Sequence, residues 1–319
     1  MACIALKVDV DTWRGTREGV PALVRQLEKF DASASFLFSL GPDHTGRAIR
    51  RAFRAGFFGK VARTSVMEHY GLRTLMYGTL LPGPDIGRRE ASTLRSVAKA
   101  GFQTGVHTWD HVRWQDGVQG AAPDWTRAEL KRATERYAEI FGLSPTVHGA
   151  AGWQMNRAAY GIESELGYAV ASDTRGREPY VPVDEDGCEL GPPQLPTTLP
   201  TLDELLGRDG WTPDNVHRAL LDATSTDAPW HVYTLHAELE GQKLAPVLQR
   251  LLMGWRSDGH VFVGLAEMAA RLNHLALPRC LAGTGTVPGR SGLLAVQGPA
   301  WNKAMTTRPG ALSQQTAAE

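Results

Sequence analysis

Cysteine is scarce in this chain, with three in 319 residues, at positions 3, 188 and 280. So few, so widely spaced, make neither a disulfide framework nor a paired-cysteine metal knuckle, and a reducing compartment is expected. An excess of one charge is missing too. The 34 basic residues balance the 34 acidic ones, so nothing points to bulk nucleic-acid binding. No apolar run approaches the length that crosses a bilayer. The first residues, Met1 to Asp9, carry no basic stretch and their apolar run stops at an Asp, which reads as a strand and not a signal peptide. What the chain does have is 42% hydrophobic content, enough for one large core, and a single α/β barrel of this size is ordinary.

Strand-like and helix-like patterns alternate along it. A first strand over 3–10 is followed by a helix over 16–30, with Val20, Leu23, Val24 and Leu27 at helical spacing. Further strands are predicted at 33–40, 103–106, 146–149, 168–172, 194–197, 232–235 and 261–264. Helices are predicted at 88–100, at 126–141 closed by Gly142, and at 213–223, 243–255 and 265–273. Repeated βα order argues a parallel sheet, and this many units argue closure or near-closure: a distorted (β/α) barrel.

Two patterns at strand ends carry chemistry. Asp9-Val10-Asp11-Thr12 ends the first strand, and side chains alternate on a strand, so both carboxylates face one way. His107-Thr108-Trp109-Asp110-His111 follows the strand at 103–106. Its spacing sets two imidazoles about one helical turn apart, as for two neighbouring positions on a metal ion. With 10 His in the chain such a spacing is common by chance, and the context supplies its weight: sites in parallel α/β proteins gather at the carboxyl ends of strands. Asp11, His107 and His111 form one divalent-metal site with a position open for water, the arrangement of a catalytic ion, and Asp9 is a spare base. Zinc, cobalt, manganese or iron all suit such a site.

Residues 41–87 break the rhythm as an insertion. Arg47, Arg50, Arg51 and Arg54 interleave there with Phe53, Phe57 and Phe58, and no acidic residue stands between His44 and Met67. A basic, aromatic amphipathic helix suits the headgroup layer of an anionic membrane, and the apolar stretch 70–81 adds hydrophobic surface. The alternative is a cover for the barrel that shows its arginines to water. The last part, 279–319, is rich in Gly, Pro, Ser, Thr, Ala and Gln, and is expected to be a disordered tail behind a catalytic domain over 1–278.

At this point the chain resembles the metal-dependent polysaccharide deacetylases of the NodB-homology type. His107-Thr108-Trp109-Asp110-His111 matches their second motif and Tyr233-Thr234-Leu235-His236 looks like the fifth. Gly152-Trp153 stands where the third would fall, and Ser172-Asp173-Thr174-Arg175-Gly176 where the fourth would. The order and spacing cover residues 1 to about 275. The strings at 8–21, 150–153, 195–201 and 233–241, with the basic insertion, look like one branch: deformylases of 4-deoxy-4-formamido-L-arabinose carried by undecaprenyl phosphate, in the pathway that adds aminoarabinose to lipid A and gives polymyxin resistance. Two departures stand out. The family's adjacent Asp pair is split here by Val10, and its third motif brings an Arg to orient the base, where Gln154 follows Trp153. Gln154 or Arg175 is expected to take that part.

The resemblance implies a mechanism and a place. The ion held by Asp11, His107 and His111 acidifies its water and polarises the formyl oxygen, Asp9 takes a proton, and His236 protonates the departing amine. Asp173 would hold His236 in its charged form, and a backbone N–H near Gly152 and Trp153, with Arg175, would serve the oxyanion and substrate. Glu238 and Glu240 read as solvated strand-end charges. The substrate lipid places the protein peripherally at the cytoplasmic face of the inner membrane. Two alternatives stay open: a soluble polysaccharide or chitooligosaccharide N-deacetylase of the same fold, and a non-catalytic scaffold that binds a prenyl-phosphate sugar.

Overall fold

The structure, a computed structural model, describes residues 2–48 and 73–302. Its centre is a seven-stranded sheet, parallel throughout. The strands are β1 (Cys3–Val10), β2 (Ser35–Ser39), β3 (Gln103–Thr108), β4 (Val147–His148), β5 (Val170–Ala171), β7 (Trp230–His236) and β8 (Val261–Val263). A separate three-stranded sheet joins β6 (Val181–Val183), β9 (Arg279–Gly285) and β10 (Leu294–Ala300). In the large sheet β1 pairs along its length with β7 on one edge, while β8 takes the first half of its other edge and β2 the second. The order β5-β4-β3-β2-β1-β7 curls into a half-barrel, which bears out the predicted α/β architecture.

β1 is fully buried, and its alternation explains the layering. Ile4, Leu6, Val8 and Val10 pack outward into the larger core with Leu23 and Leu27 of the helix Val20–Lys29 and with Phe36 and Phe38. Cys3 and Ala5, on the opposite face, join a smaller cluster with Leu37, Val147, Val170 and Val263 inside the curl. The same face continues into Lys7, Asp9 and Asp11, so the interior changes from apolar to charged toward the carboxyl end of the strand.

After β1 the chain makes a π-helical turn at Gly15–Gly19. Glycine is required at both ends by close approach. A Cβ on Gly15 would lie 1.9 Å from Glu238 Oε1, and one on Gly19 would lie 2.0 Å from the carbonyl oxygen of Ala237. The turn therefore seats directly on the residues that follow β7.

The disordered tail expected over 279–319 is corrected for its described part, 279–302, while residues 303–319 lie outside the described residues. Residues 279–300 form β9 and β10, paired antiparallel, and β9 also runs parallel to β6. The Gly, Ala and Thr content that suggested disorder is accommodated by main-chain pairing. The connection between β9 and β10 carries Arg290, bound to Asp203 and Glu204. The strand expected at 194–197 is present only as isolated bridges of Gln194 and Thr197.

Candidate metal and acid–base site

Three strand ends converge. Asp9 comes from β1 and Asp11 from just after its end, His107 from the end of β3, and His236 from the end of β7, where it is the register partner of Asp9. Register partners on adjacent strands point to the same face, so Asp9 and His236 stand side by side within the curl. His111 is the first residue of the helix His111–Gly117, whose N-cap Asp110 accepts from Arg113 N and also contacts His44 Nδ1 at 2.6 Å. The two imidazoles are thus not on one helical turn. One ends a strand and the other begins a helix, with ring centroids 5.3 Å apart.

Asp11, His107 and His111 offer three ligand atoms within metal-binding reach of one another. His107 Nε2 is 3.2 Å from Asp11 Oδ1, and His111 Nε2 is 3.5 Å from Asp11 Oδ2. His107 Nδ1 is 2.6 Å from the carbonyl oxygen of Gly149 and donates to it, so the lone pair of Nε2 faces Asp11. A backbone carbonyl fixing the tautomer in this way is characteristic of metal-ligating histidine. Asp11 Oδ1 is buried with no hydrogen-bond partner. Burial pushes the Asp11 carboxyl up, but His111 and His107, with His236, outweigh it and hold it well below the usual carboxylate range. An orphaned buried anion facing two oriented imidazoles fits a divalent cation.

Asp9 lies outside that set. Its Oδ2 is 3.3 Å from Lys7 Nζ, while Oδ1 is buried without a hydrogen-bond partner, 3.7 Å from His107 Nδ1. His236 is buried, with its ring edge-on to Trp153 at 6.5 Å. Burial lowers the affinity of its imidazole for a proton, yet Asp203, then Asp11, Asp9 and Glu240, raise its pKa above the ordinary value. The site therefore holds a carboxylate with a free acceptor oxygen beside an imidazole biased toward its charged form.

Glu238 and Glu240 are corrected from solvated charges to buried supports. Glu238 Oε1 accepts from Asp11 N at 3.1 Å and from Thr12 N and Thr12 Oγ1, both at 2.8 Å, which fixes the loop presenting Asp11. Burial first, and then the charge of Asp11, push its carboxyl up to about 8. Glu240 accepts from the backbone N–H of His236 at 2.9 Å and from Tyr233 Oη at 2.8 Å. Period two after His236 was visible in the sequence. What it lacked was the turn that folds both side chains back under the site.

Asp173 does not hold His236. It accepts from His148 Nδ1 at 2.8 Å, Ala150 N at 2.8 Å and Gln194 Nε2 at 2.9 Å. It is the carboxylate of a second buried cluster, His148, Glu163 and Asp173, behind the strand ends. The charge of Asp203 does for His236 what Asp173 was expected to do. Arg175 is also corrected: its guanidinium is buried against Glu204 and the carbonyl oxygens of Thr197 and Leu199, closed off from substrate and base. Gln154 donates to the carbonyl oxygen of Leu293. Gly152 and Trp153 adopt positive φ in a tight turn, and the Trp153 N–H is committed to the carbonyl oxygen of Ala150 and is not presented to an oxyanion. The Trp153 ring is buried under three cations, Lys7, Arg175 and Arg290.

Of the proposed membrane-contact residues, Arg47 is exposed and donates from Nε to the carbonyl oxygen of Gly78. Arg50, Arg51, Arg54, Phe53, Phe57 and Phe58 lie outside the described residues. Of the apolar stretch that follows, Leu75 and Tyr77 are buried and Leu80 is 80% exposed. Among the described residues no helix is long and apolar enough to cross a membrane.

Residues 2–171 match the family described as polysaccharide deacetylase. The chain is 35% identical over 266 residues, covering 83% of it and 85% of the relative, to a Shewanella sediminis protein named "Probable 4-deoxy-4-formamido-L-arabinose-phosphoundecaprenol deformylase ArnD". A Wigglesworthia glossinidia brevipalpis protein of the same name is 28% identical over 284 residues, 89% of this chain and 98% of that one. A crystal structure from Mycobacterium smegmatis, described as a polysaccharide deacetylase, superposes with a TM-score of 0.60 at 19% identity, covering 90% of this chain and 95% of that one, and shares the fold. The chain belongs to the polysaccharide deacetylase family of the NodB-homology type.

Proposed function

We propose that this protein, a hydrolase of a linear amide C–N bond, removes the formyl group from 4-deoxy-4-formamido-L-arabinose carried on undecaprenyl phosphate, leaving the free amine and formate. The observation that carries the reading is the placement of Asp9 and His236 as register partners beside the Asp11, His107 and His111 cluster. The relatives that share the chain's length are named for that reaction.

A formamide has a weakly electrophilic carbon and a poor leaving group, so water must be activated on one side and the nitrogen protonated on the other. Asp11, His107 and His111 would hold a divalent ion, which when bound supplies a Lewis acid for the water and the formyl oxygen. Asp9 accepts a water proton at Oδ1 as oxygen bonds to the formyl carbon. His236 then gives its proton to the nitrogen as the C–N bond breaks and its electron pair returns to nitrogen. Glu238 holds the backbone that presents Asp11, and Glu240 fixes the end of β7 beneath His236.

The undecaprenyl tail keeps the sugar in the bilayer, so the reading places the protein peripherally at the cytoplasmic face of the inner membrane. Arg47, Arg50, Arg51 and Arg54, with Phe53, Phe57 and Phe58, are the proposed contact, and lipid A modification is the proposed pathway. The test is formate release from the lipid-linked formamido sugar in anionic vesicles. Release that stops on chelation and returns with zinc, cobalt, manganese or iron supports the proposal. Release indifferent to chelation would remove the metal from it.

A further inference from the structure

One charged side chain in the barrel interior has no part in the chemistry above. Lys7 stands two residues before Asp9 on the same face of β1 and is 0% exposed. The residues below it on that face are Cys3 and Ala5, which pack in an apolar cluster. An ammonium is costly to bury unless its protons find acceptors and its charge a partner. Lys7 has both: Nζ donates to the carbonyl oxygen of Ser172 at 2.9 Å and lies 3.3 Å from Asp9 Oδ2. The Trp153 ring lies under it, 5.3 Å from Nζ to the centroid.

The space for this side chain is built in. A Cβ on Gly149 would lie 2.9 Å from Lys7 Cε and 3.2 Å from Nζ, besides meeting Leu37 Cδ1 at 2.5 Å. The same Gly149 provides the carbonyl oxygen that orients His107. One short segment thus makes room for the lysine and aims the metal-facing imidazole. Gln154 and Arg175, the residues expected from the sequence to orient the base, are spent on Leu293 and Glu204.

We propose that Lys7 is the positioning residue for the base: it holds Asp9 by Oδ2 and thereby leaves Oδ1 turned toward the attacking water. This rests on Asp9 being the base, and the test separates the two claims by a double-mutant cycle of Lys7→Met and Asp9→Asn, read on the lipid-linked formamido sugar with metal content measured for each protein. Lys7→Met alone is expected to lower kcat by ~100-fold, with KM and metal content unchanged. In the Asp9→Asn background the same change is expected to cost less than about threefold, because there is no longer a carboxylate to orient. If Lys7→Met fails to fold, Lys7→Gln replaces it, since it keeps a donor for Ser172 and loses the charge. An equal loss in both backgrounds, or a kcat within about threefold of the parent for the single variant, overturns the proposal for Lys7. Asp9→Asn that keeps full activity or loses its metal overturns the assignment of the base.

Discussion

Asp9 and Asp11 differ by two positions in the chain and by what surrounds them. Asp11 faces two imidazoles, and Asp9 faces an ammonium and a register-paired histidine. That difference supports the proposal of Asp11 as ligand and Asp9 as base, and substitutions separate the roles. Asp11→Ala, His107→Ala and His111→Ala are each expected to strip the ion and abolish turnover with the fold retained, as read by metal analysis and circular dichroism. Asp9→Asn and His236→Ala are expected to keep the ion and lose roughly 10²–10⁴-fold in rate. Full metal content in the double His107→Ala, His111→Ala variant would contradict the ligand assignment. At this scale the sequence showed what lies within a motif. Asp9, Asp11, His107, His111 and His236 were all legible, because each belongs to a short local pattern at a strand end. Asp203 and Glu238 were not, since each acts on a residue of a different element, and Lys7, on the same strand as Asp9, belongs to no motif. Lys7 did leave a signal, a charge on the Asp9 and Asp11 face of an otherwise apolar strand.

Among the elements, the strand ends need support from below, and buried charge provides it. His148, Glu163 and Asp173 form a cluster with no exposure, on β4, the helix Arg157–Glu165 and the segment after β5. Burial opposes the charge on His148, but Asp173 and Glu163 outweigh it and raise its pKa to about 10. Burial, and then Asp173, push Glu163 up to about 8. Asp173, held below its ordinary value by His148 and Gln194 against the effect of burial, stays the anion. Both raised groups act in the same direction. Each binds its proton more tightly when folded than when unfolded, so the stabilisation is complete below the unfolded values. It is lost as pH rises through about 8 for Glu163 and about 10 for His148. Denaturant unfolding is therefore expected to show stability falling between pH 4.5 and 10, and Glu163→Gln to flatten the part of that fall between pH 4.5 and 8. A flat profile in the parent would mean the cluster carries no extra protons. Element type was legible wherever apolar periodicity was strong, as in β1 and the helices Val20–Lys29 and Pro123–Phe141. β9 and β10 were hidden because Gly, Thr and Pro interrupt them and their stability comes from antiparallel pairing with each other.

For the whole molecule, the curled sheet gathers its chemistry at one end, and the small sheet is tied to it through Arg290 on Asp203 and Glu204. Residues 279–302 are therefore part of the folded unit that surrounds His236. The membrane account also belongs to this scale. Each arginine near an anionic surface contributes about 1 kcal/mol, so several give attachment that salt weakens. Replacing Arg47, Arg50, Arg51 and Arg54 by Glu is expected to release the protein from anionic vesicles and cut activity on the lipid-linked sugar, while sparing a short-chain soluble analogue. Unchanged vesicle binding in that variant would move the contact elsewhere, with the exposed Leu80 as the next place to look.

The most direct test of the central claim is mass spectrometry of two substrates offered together to the purified, metal-loaded protein: undecaprenyl-phosphate-linked 4-deoxy-4-formamido-L-arabinose in anionic vesicles, and an acetylated chitooligosaccharide in solution. The account predicts that the lipid loses one formyl group and gains a free amine, that the chitooligosaccharide is unchanged, and that Asp9→Asn slows the reaction by roughly 10²–10⁴-fold. An intact formamide beside a deacetylated chitooligosaccharide would contradict it.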